Sequence, residues 1–238
     1  MNSVAEGASS APTLNILAFA GAGTGSAKST AAVNLAVAFA AAGLRVELRD
    51  VDPATPAFRA LARAADSAGP PVELPISRAL RGRVTLAAGF PPPAAAPGVA
   101  APDLLLLDCP TQVDADTERA VGLASLVLVP VDASPLALRT LGEVAELLSR
   151  QRPAAARLRV ALARVLPRRI DRWGVVEELT ERYPGALYAT TVPLRRTGAS
   201  HDAGARAPTL YAPTTRAAAA YAALALEVAD DLGLRLGG

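Results

Sequence analysis

Residues 104–107 form an uninterrupted run of four leucines, flanked by Asp103 and Asp108. A strand with one face in water alternates apolar and polar residues, so a run without alternation predicts a strand covered on both faces. The segment Ser125–Val131 (SLVLVPV) has the same character. Strands of this kind are typical of parallel sheets with helices on both sides, and they restrict the chain to an α/β fold.

The rest of the chain alternates strands with helices, as a doubly wound, mostly parallel sheet requires. We predict further strands at Leu14–Ala20, Leu44–Val51, Val84–Ala88, Leu158–Leu166 and Leu187–Val192. Helices are predicted at Ser29–Ala42 (ended by Gly43), Pro135–Arg150, Arg172–Tyr183 and Thr214–Leu232. We expect a disordered tail at residues 1–12, a single domain at 13–238, and a proline-rich surface connection at 91–102.

The composition excludes several other classes of protein. Of 238 residues, 51% are apolar and 19% are charged, so the chain can bury a core and is not a disordered protein. One cysteine excludes a disulfide framework and fits a reducing compartment, and the single histidine excludes a multi-histidine metal site. Residues 1–13 lack the features of a signal peptide, and no run of about 18 apolar residues exists. The sequence therefore predicts a cytoplasmic protein without a membrane span.

Of 24 basic residues 23 are arginine, and Lys28 is the only lysine. It follows the glycine-rich residues 21–27 (GAGTGSA) and precedes a predicted helix. In a phosphate cradle of this layout, backbone N–H groups wrap the phosphates, the lysine reaches their terminal end, and the following serine binds Mg²⁺. The match to G-x-x-x-x-G-K-[ST] is imperfect, because Ala22 and Ala27 replace the two glycines. The alternative is a tight strand-to-helix turn that binds nothing.

Aspartates stand at the ends of two predicted strands. Asp108 ends the leucine strand, where a carboxylate can hold Mg²⁺ through water. Asp50 and Asp52 end another strand, with both side chains on one face because the strand period is two. Since the carboxyl ends of parallel strands share one edge, we expect the three carboxylates to converge with Lys28 and Ser29.

Taken together, these segments resemble the ParA/MinD family of deviant Walker A ATPases. The family pattern K-G-G-x-G-K-[ST]-T-x-x-x-N-L-A, with a strand ending in D-x-D-P, is similar to GSAKSTAAVNLAVAFAAAGLRVELRDVDPATP. Its Walker B segment is similar to DLLLLDCPT, its next strand and helix to SLVLVPVDASPLALRTL, and its C-terminal region to TVPLRRTGASHDAGARAPTLYAPTTRAAAAYAALALEVADDL. The resemblance covers about residues 14–232 and implies a P-loop nucleotidase fold.

The resemblance implies a role for each matching position. Lys28 would bind the β- and γ-phosphates, and Asp52 would orient the attacking water. Ser29 and, through water, Asp108 would hold Mg²⁺. Asp50 would contact the groups that surround the ion rather than the ion itself. The residues expected around ATP are Gly23, Thr24, Gly25, Ser26, Ala27, Lys28, Ser29, Thr30 and Pro193.

It also implies a slow, partner-stimulated ATPase. ATP would drive a homodimer that binds nucleoid DNA nonspecifically and positions or partitions a cargo, with an adaptor or cargo protein stimulating hydrolysis. DNA contacts are expected at Arg195, Arg196, Arg206 and Arg216. These lie in residues 150–238, whose net charge of +6 contrasts with −4 for residues 1–149. The alternative is that these arginines only confer solubility.

Two departures from the family pattern bear on hydrolysis. The signature lysine of the family, five residues before the P-loop lysine, is Gly23 here, and the residue before Lys28 is Ala27 rather than glycine. A methyl group at position 27 costs little if φ is negative and much if it is positive. The second hypothesis is therefore a hydrolysis-deficient, ATP-binding scaffold or regulatory protein. A membrane-bound member is not expected, because the last helix lacks a basic polar face.

Two further predictions concern single positions in strands. Glu47 and Arg49 alternate with apolar residues in a strand that should be covered on both faces. Either that face is partly solvated or the two side chains form a mutual ion pair. Cys109, next to Asp108, is interpreted as a small packing residue rather than a reactive thiol.

Overall fold

The computed structural model describes residues 14–21, 27–51, 72–73, 81–91, 100–132, 134–151, 157–165, 174–194, 209 and 212–237. The described strands are β1 (Asn15–Phe19), β2 (Arg45–Asp50), β3 (Val72–Glu73), β4 (Arg83–Ala88), β5 (Leu104–Asp108), β6 (Leu126–Val131), β7 (Arg157–Val165) and β8 (Leu187–Pro193). The helices with described bounds are α1 (Lys28–Ala41), α2 (Ala115–Leu123), α3 (Pro135–Gln151), α4 (Val175–Arg182) and α5 (Arg216–Asp231).

The strands form one sheet in the order β3-β4-β2-β5-β1-β6-β7-β8. All neighbouring pairs are parallel except β3 and β4, which pair antiparallel at the edge of the sheet. The prediction of a doubly wound, mostly parallel sheet is confirmed. From β1 the chain builds one half of the sheet and then returns to build the other. The carboxyl end of β1 is therefore the switch point where ligands bind in such sheets.

The leucines of β5 show why that strand has no alternation. Leu104 and Leu106 pack with residues of α1 and α5 on one face of the sheet. Leu105 and Leu107 pack with residues of α2, α3 and α4 on the other. All four are at most 1% exposed, because β5 lies between β2 and β1 with helices on both sides. Two cores therefore share one central sheet.

The predicted bounds agree with the structure to within one or two residues, except for the helix predicted from Arg172. Its described part begins at Val175, after Gly174 in the left-handed conformation, and residues 172–173 lie outside the described residues. Also outside lie residues 1–13 and 92–99, so the expected tail and most of the expected proline-rich connection stay predictions.

Two elements, β3 and α2, were not predicted. β3 has only two residues, too few to show a period. In α2 the buried residues are Thr117, Ala120 and Val121 alone, so its apolar periodicity is faint. Asp114 caps α2 by accepting hydrogen bonds from the backbone N–H groups of Asp116 (3.1 Å) and Thr117 (3.0 Å). That cap is the sequence signal by which α2 could have been found.

Candidate functional site

The helix α1 begins at Lys28, at the carboxyl edge of the sheet and next to the switch point. Lys28 is only 4% exposed, and its Nζ donates a hydrogen bond to the carbonyl oxygen of Gly21 (2.5 Å). A buried ammonium group is unfavourable unless hydrogen bonds and charges compensate it. The side chain therefore holds a fixed positive charge where β1 ends and α1 begins.

Asp50 and Asp108 end the neighbouring strands β2 and β5 and are partners in the parallel register. On the other side of β5, the register partner of Asp108 is Phe19, the last residue of β1. Leu48 and Leu106, two residues earlier in each strand, pack toward α1, so Asp50 and Asp108 point to that face as well. Both aspartates are buried, at 1% and 5% exposed.

The structure thus brings Lys28, Asp50 and Asp108 to one edge of the sheet, with Ser29 in the first turn of α1. Carboxylate and hydroxyl oxygens are the ligands that Mg²⁺ prefers, and Mg²⁺ commonly takes its other ligands from phosphate and water. The donor set fits such an ion. Among the described residues no group of three or more His, Cys, Asp or Glu could hold a metal by itself.

Ala27, directly before α1, adopts the left-handed conformation with φ 64° and ψ 12°. This conformation costs a residue with a Cβ about 1–2 kcal/mol relative to the right-handed one. The carbonyl oxygen of Ala27 accepts the first hydrogen bond of the helix, from the Ala31 N–H (2.8 Å). The backbone at Ala27 is therefore strained, and glycine at this position would not be.

Arg49 resolves the alternatives left open for β2. It is 7% exposed, and its Nε donates to Glu47 Oε1 at 2.5 Å, so the two side chains form a mutual ion pair. Its Nη1 also donates to the carbonyl oxygen of Phe90 (3.1 Å). Arg119 stacks over the Phe90 ring, 4.1 Å from its centroid. Arg49 therefore fixes the turn after β4, next to the strand end that carries Asp50.

The family model for the CobQ/CobB/MinD/ParA nucleotide binding domain matches residues 17–196. This range runs from β1 past the end of β8 and contains Lys28, Asp50 and Asp108. The chain belongs to this family. The resemblance on which the sequence-based roles rest is thereby confirmed, and a nucleotide is the ligand class that the family name gives.

Several solved structures share the fold of this chain. MinD from Pyrococcus horikoshii OT3, in complex with Mg-ADP, is 18% identical, with a TM-score of 0.65, covering 91% of this chain and 96% of that one. Cobyrinic acid a,c-diamide synthase from Mycobacterium smegmatis, with bound ADP and magnesium, is 18% identical with a TM-score of 0.64 (94% and 98% covered). A plasmid partition protein from Borrelia burgdorferi is 12% identical with a TM-score of 0.59 (91% and 97% covered). Curated protein sequences give no significant match.

The structure describes only some of the residues to which the ParA/MinD resemblance gives roles. Ser29 and Thr30 lie half-buried in the first turn of α1, and Pro193 ends β8. Arg216 is exposed at the start of α5. Outside the described residues lie Gly23, Thr24, Gly25, Ser26, Asp52, Arg195, Arg196 and Arg206. The roles of all these positions, described or not, stay predictions.

Cys109, next to Asp108 at the end of β5, is 4% exposed and packs in the core on the α2–α4 side of the sheet. Burial raises the pKa of its thiol far above the ordinary value, and the charge of Asp108 raises it further. A thiol in this state stays protonated and unreactive. The structure agrees with the packing interpretation.

Asn34 is a residue to which the sequence analysis gave no role, although it lies in the segment that resembles the family. It is fully buried in α1, and it hydrogen bonds both to Thr30 and to Thr209. The apolar surroundings AVNLAV were the available signal, because a buried amide requires partners.

Within the described part of the chain, no helix is long and apolar enough to cross a membrane.

Proposed function

We propose that this chain is an ATP-dependent positioning or partition ATPase that binds Mg-ATP at the carboxyl edge of its sheet. The observation that carries the proposal is the buried Lys28 at the start of α1, beside the in-register pair Asp50 and Asp108. The Mg-ADP complex of the MinD from P. horikoshii, which shares the fold, supports the choice of ligand.

In this proposal Lys28 binds the β- and γ-phosphates, and the backbone N–H groups that open α1 add their positive dipole. Ser29 and Asp108 would hold Mg²⁺, and the bound ion would neutralise phosphate charge. Asp52 orients the attacking water, a task that suits a carboxylate because phosphoryl transfer depends on positioning and charge stabilisation.

Calorimetric titration with Mg-ATP tests the binding site. Wild type should bind, and Lys28→Ala should abolish binding because no other lysine exists to supply a compact ammonium. The matched control is Arg182→Ala in the last turn of α4, whose side chain is 55% exposed. It removes one positive charge at the amino edge of the sheet, opposite the proposed site, and should bind as wild type does. Absence of wild-type binding at millimolar Mg-ATP would refute the proposal.

We further propose slow, partner-stimulated hydrolysis within an ATP-bound homodimer. Asp52→Ala should then bind ATP without turnover and accumulate as a dimer. Light scattering with and without Mg-ATP measures the dimer, and phosphate release measures turnover. An unchanged rate of phosphate release in this variant would show that another group orients the attacking water.

The dimer is proposed to bind nucleoid DNA without sequence preference, through Arg195, Arg196, Arg206 and Arg216, and to position a cargo with an adaptor. The exposure of Arg216 and the net charge of +6 in residues 150–238 support a basic surface. Binding to random duplex should require ATP and weaken steeply with salt. Arg195→Glu/Arg196→Glu should abolish it. Binding that salt does not change would contradict an electrostatic DNA surface.

The second candidate is an ATP-binding scaffold that does not hydrolyse. It is favoured by Ala27 at φ 64° and by Gly23 in place of the signature lysine. Turnover of the pure protein, with and without DNA, distinguishes the two. Tight ATP binding with no phosphate release in either condition would favour the scaffold.

A further inference from the structure

Asn34 is a fully buried amide in a helix whose other residues after the first turn are apolar. Its Nδ2 donates a hydrogen bond to the carbonyl oxygen of Thr30 (2.7 Å). Its Oδ1 accepts two, from the backbone N–H of Thr209 (3.1 Å) and from the Thr209 hydroxyl (2.8 Å). The side chain therefore joins the first turn of α1 to a residue 175 positions later in the chain.

The orientation of the amide follows from its two backbone partners. The Thr30 carbonyl oxygen can only accept, so the atom that faces it must be the amide nitrogen. The Thr209 backbone N–H can only donate, so the atom that faces it must be the amide oxygen. Aspartate at this position would set a carboxylate oxygen against the Thr30 carbonyl, and leucine would leave the Thr209 N–H without its acceptor.

The stability of the fold alone does not explain why an asparagine occupies this position. A leucine of similar volume would fill the core without any polar group, and a satisfied buried hydrogen bond adds little net stability compared with apolar packing. The amide instead fixes relative position, because two hydrogen bonds to Thr209 and one to Thr30 hold these two residues in one arrangement. Thr30 is two residues from Lys28, and Thr209 follows the end of β8 at Pro193 by 16 positions.

We propose that Asn34 is a positioning residue for the nucleotide, which fixes the chain at Thr209 against the phosphate-binding turn of α1. The inference rests on the proposed function, in which Lys28 binds the phosphates, and on the ParA/MinD resemblance, which implies that Pro193 lies near the adenine. Through Asn34 the first turn of α1 is joined to Thr209. Loss of the contact should therefore weaken ligands that extend from the phosphates to the base, and leave phosphate-only ligands unaffected.

The test compares Mg-ATP with magnesium tripolyphosphate, which has the phosphates but no nucleoside, on wild type and three variants. Asn34→Ala should raise the Kd for Mg-ATP about tenfold, and Thr209→Val, which removes only the hydroxyl, about threefold. The Kd for tripolyphosphate, measured by competition with a fluorescent ATP analogue, should change less than about twofold in both. Thr180→Val in α4 is the control, since it also removes a hydroxyl that donates to a backbone carbonyl (Val176, 2.8 Å).

The outcomes separate this inference from the function on which it rests. If wild type binds neither ligand, the proposed function itself fails. If wild type binds and both variants keep its Kd for Mg-ATP while melting at lower temperature, Asn34 is only structural and the inference is overturned. Equal weakening of both ligands would also overturn it. Because Thr209→Val keeps the amide and the backbone bond, it keeps the test decisive even if Asn34→Ala does not fold.

Discussion

The two edges of the sheet carry different sets of charged groups. At the carboxyl edge, two buried carboxylates of like charge, Asp50 and Asp108, are neighbours in register. At the amino edge, Asp231 of α5 accepts two hydrogen bonds from Arg159 (2.6 and 2.7 Å) and one from the Tyr188 hydroxyl (2.6 Å). Arg157 adds a longer contact to the same carboxylate (3.4 Å).

The amino edge is thus a structural cluster of groups from β7, β8 and the C-terminal end of α5. The hydrogen bonds from Arg159 lower the pKa of Asp231, and burial together with the bond to Asp231 raises the pKa of Tyr188. Opposite charges in fixed contact stabilise a fold without any ligand. Two neighbouring carboxylates favour a bound cation, and the ammonium group of Lys28 at the same edge favours phosphate. The comparison predicts that changes at one edge alter affinity and changes at the other alter stability.

The largest expected effect is at the carboxyl edge. Asp108→Asn keeps the volume and removes the charge proposed to hold Mg²⁺, so the Kd for ATP in magnesium should rise about 10- to 100-fold. Titrations with EDTA in place of magnesium should show no such difference between the variant and wild type. Asp103→Asn, just before the same strand, changes only contacts with Arg45, namely an exposed ion pair and a hydrogen bond from the Arg45 backbone N–H (2.8 Å), and should keep wild-type affinity. A higher Kd for the Asp103→Asn variant would contradict the prediction that only changes at the carboxyl edge alter affinity.

Arg159→Ala should have the largest effect at the amino edge. It removes a two-pronged ion pair with Asp231 and a bond to the Gly185 carbonyl (2.8 Å), and should lower the free energy of unfolding by about 1–3 kcal/mol. Urea unfolding measures the loss, and calorimetry should give an unchanged Kd for Mg-ATP. Arg157→Ala removes only the longer, exposed contact and should cost less than about 1 kcal/mol.

The dependence of stability on pH sharpens the same prediction. Because the folded-state pKa of Asp231 lies below its ordinary value of 3.8, its stabilising contribution is complete above that value. The contribution is lost as the pH falls from 3.8 through the lower, folded pKa. Wild type should therefore lose more stability than Arg159→Ala on acidification below about pH 4. Parallel stability curves for the two proteins would contradict this account.

The smallest expected effect tests the strain at Ala27. Glycine adopts φ 64° without steric cost, so Ala27→Gly should stabilise the fold by about 0.5–1 kcal/mol after the greater chain entropy of glycine is allowed for. The matched control is Ala219→Gly, an exposed position in α5, where glycine should destabilise by about 1 kcal/mol. Thermal unfolding should move in opposite directions in the two variants. A lower melting temperature for Ala27→Gly would show that φ 64° carries no strain.

Local patterns in the sequence determined the sheet, the position of α1 and the strand-end aspartates. The leucine run predicts burial on both faces because side chains alternate within a single strand. Lys28 stands out because it is the only lysine and follows a glycine-rich turn. Parallel strands bring their carboxyl ends to one edge, so the convergence of Lys28, Asp50 and Asp108 follows once the strands are assigned. These inferences need only residue type, period and order.

Tertiary structure alone decided the features that depend on distant partners or on a single dihedral angle. The sign of φ at Ala27 is set by how the chain enters α1, which residue type does not fix. The ion pair of Arg49 needs the turn after β4 in place, since its Nη1 donates to the Phe90 carbonyl oxygen. The contact of Asn34 with Thr209 spans 175 positions and that of Arg159 with Asp231 spans 72. Such contacts form only when the register of the sheet and the packing of α1 and α5 bring the partners within hydrogen-bonding distance, and no local pattern encodes that distance.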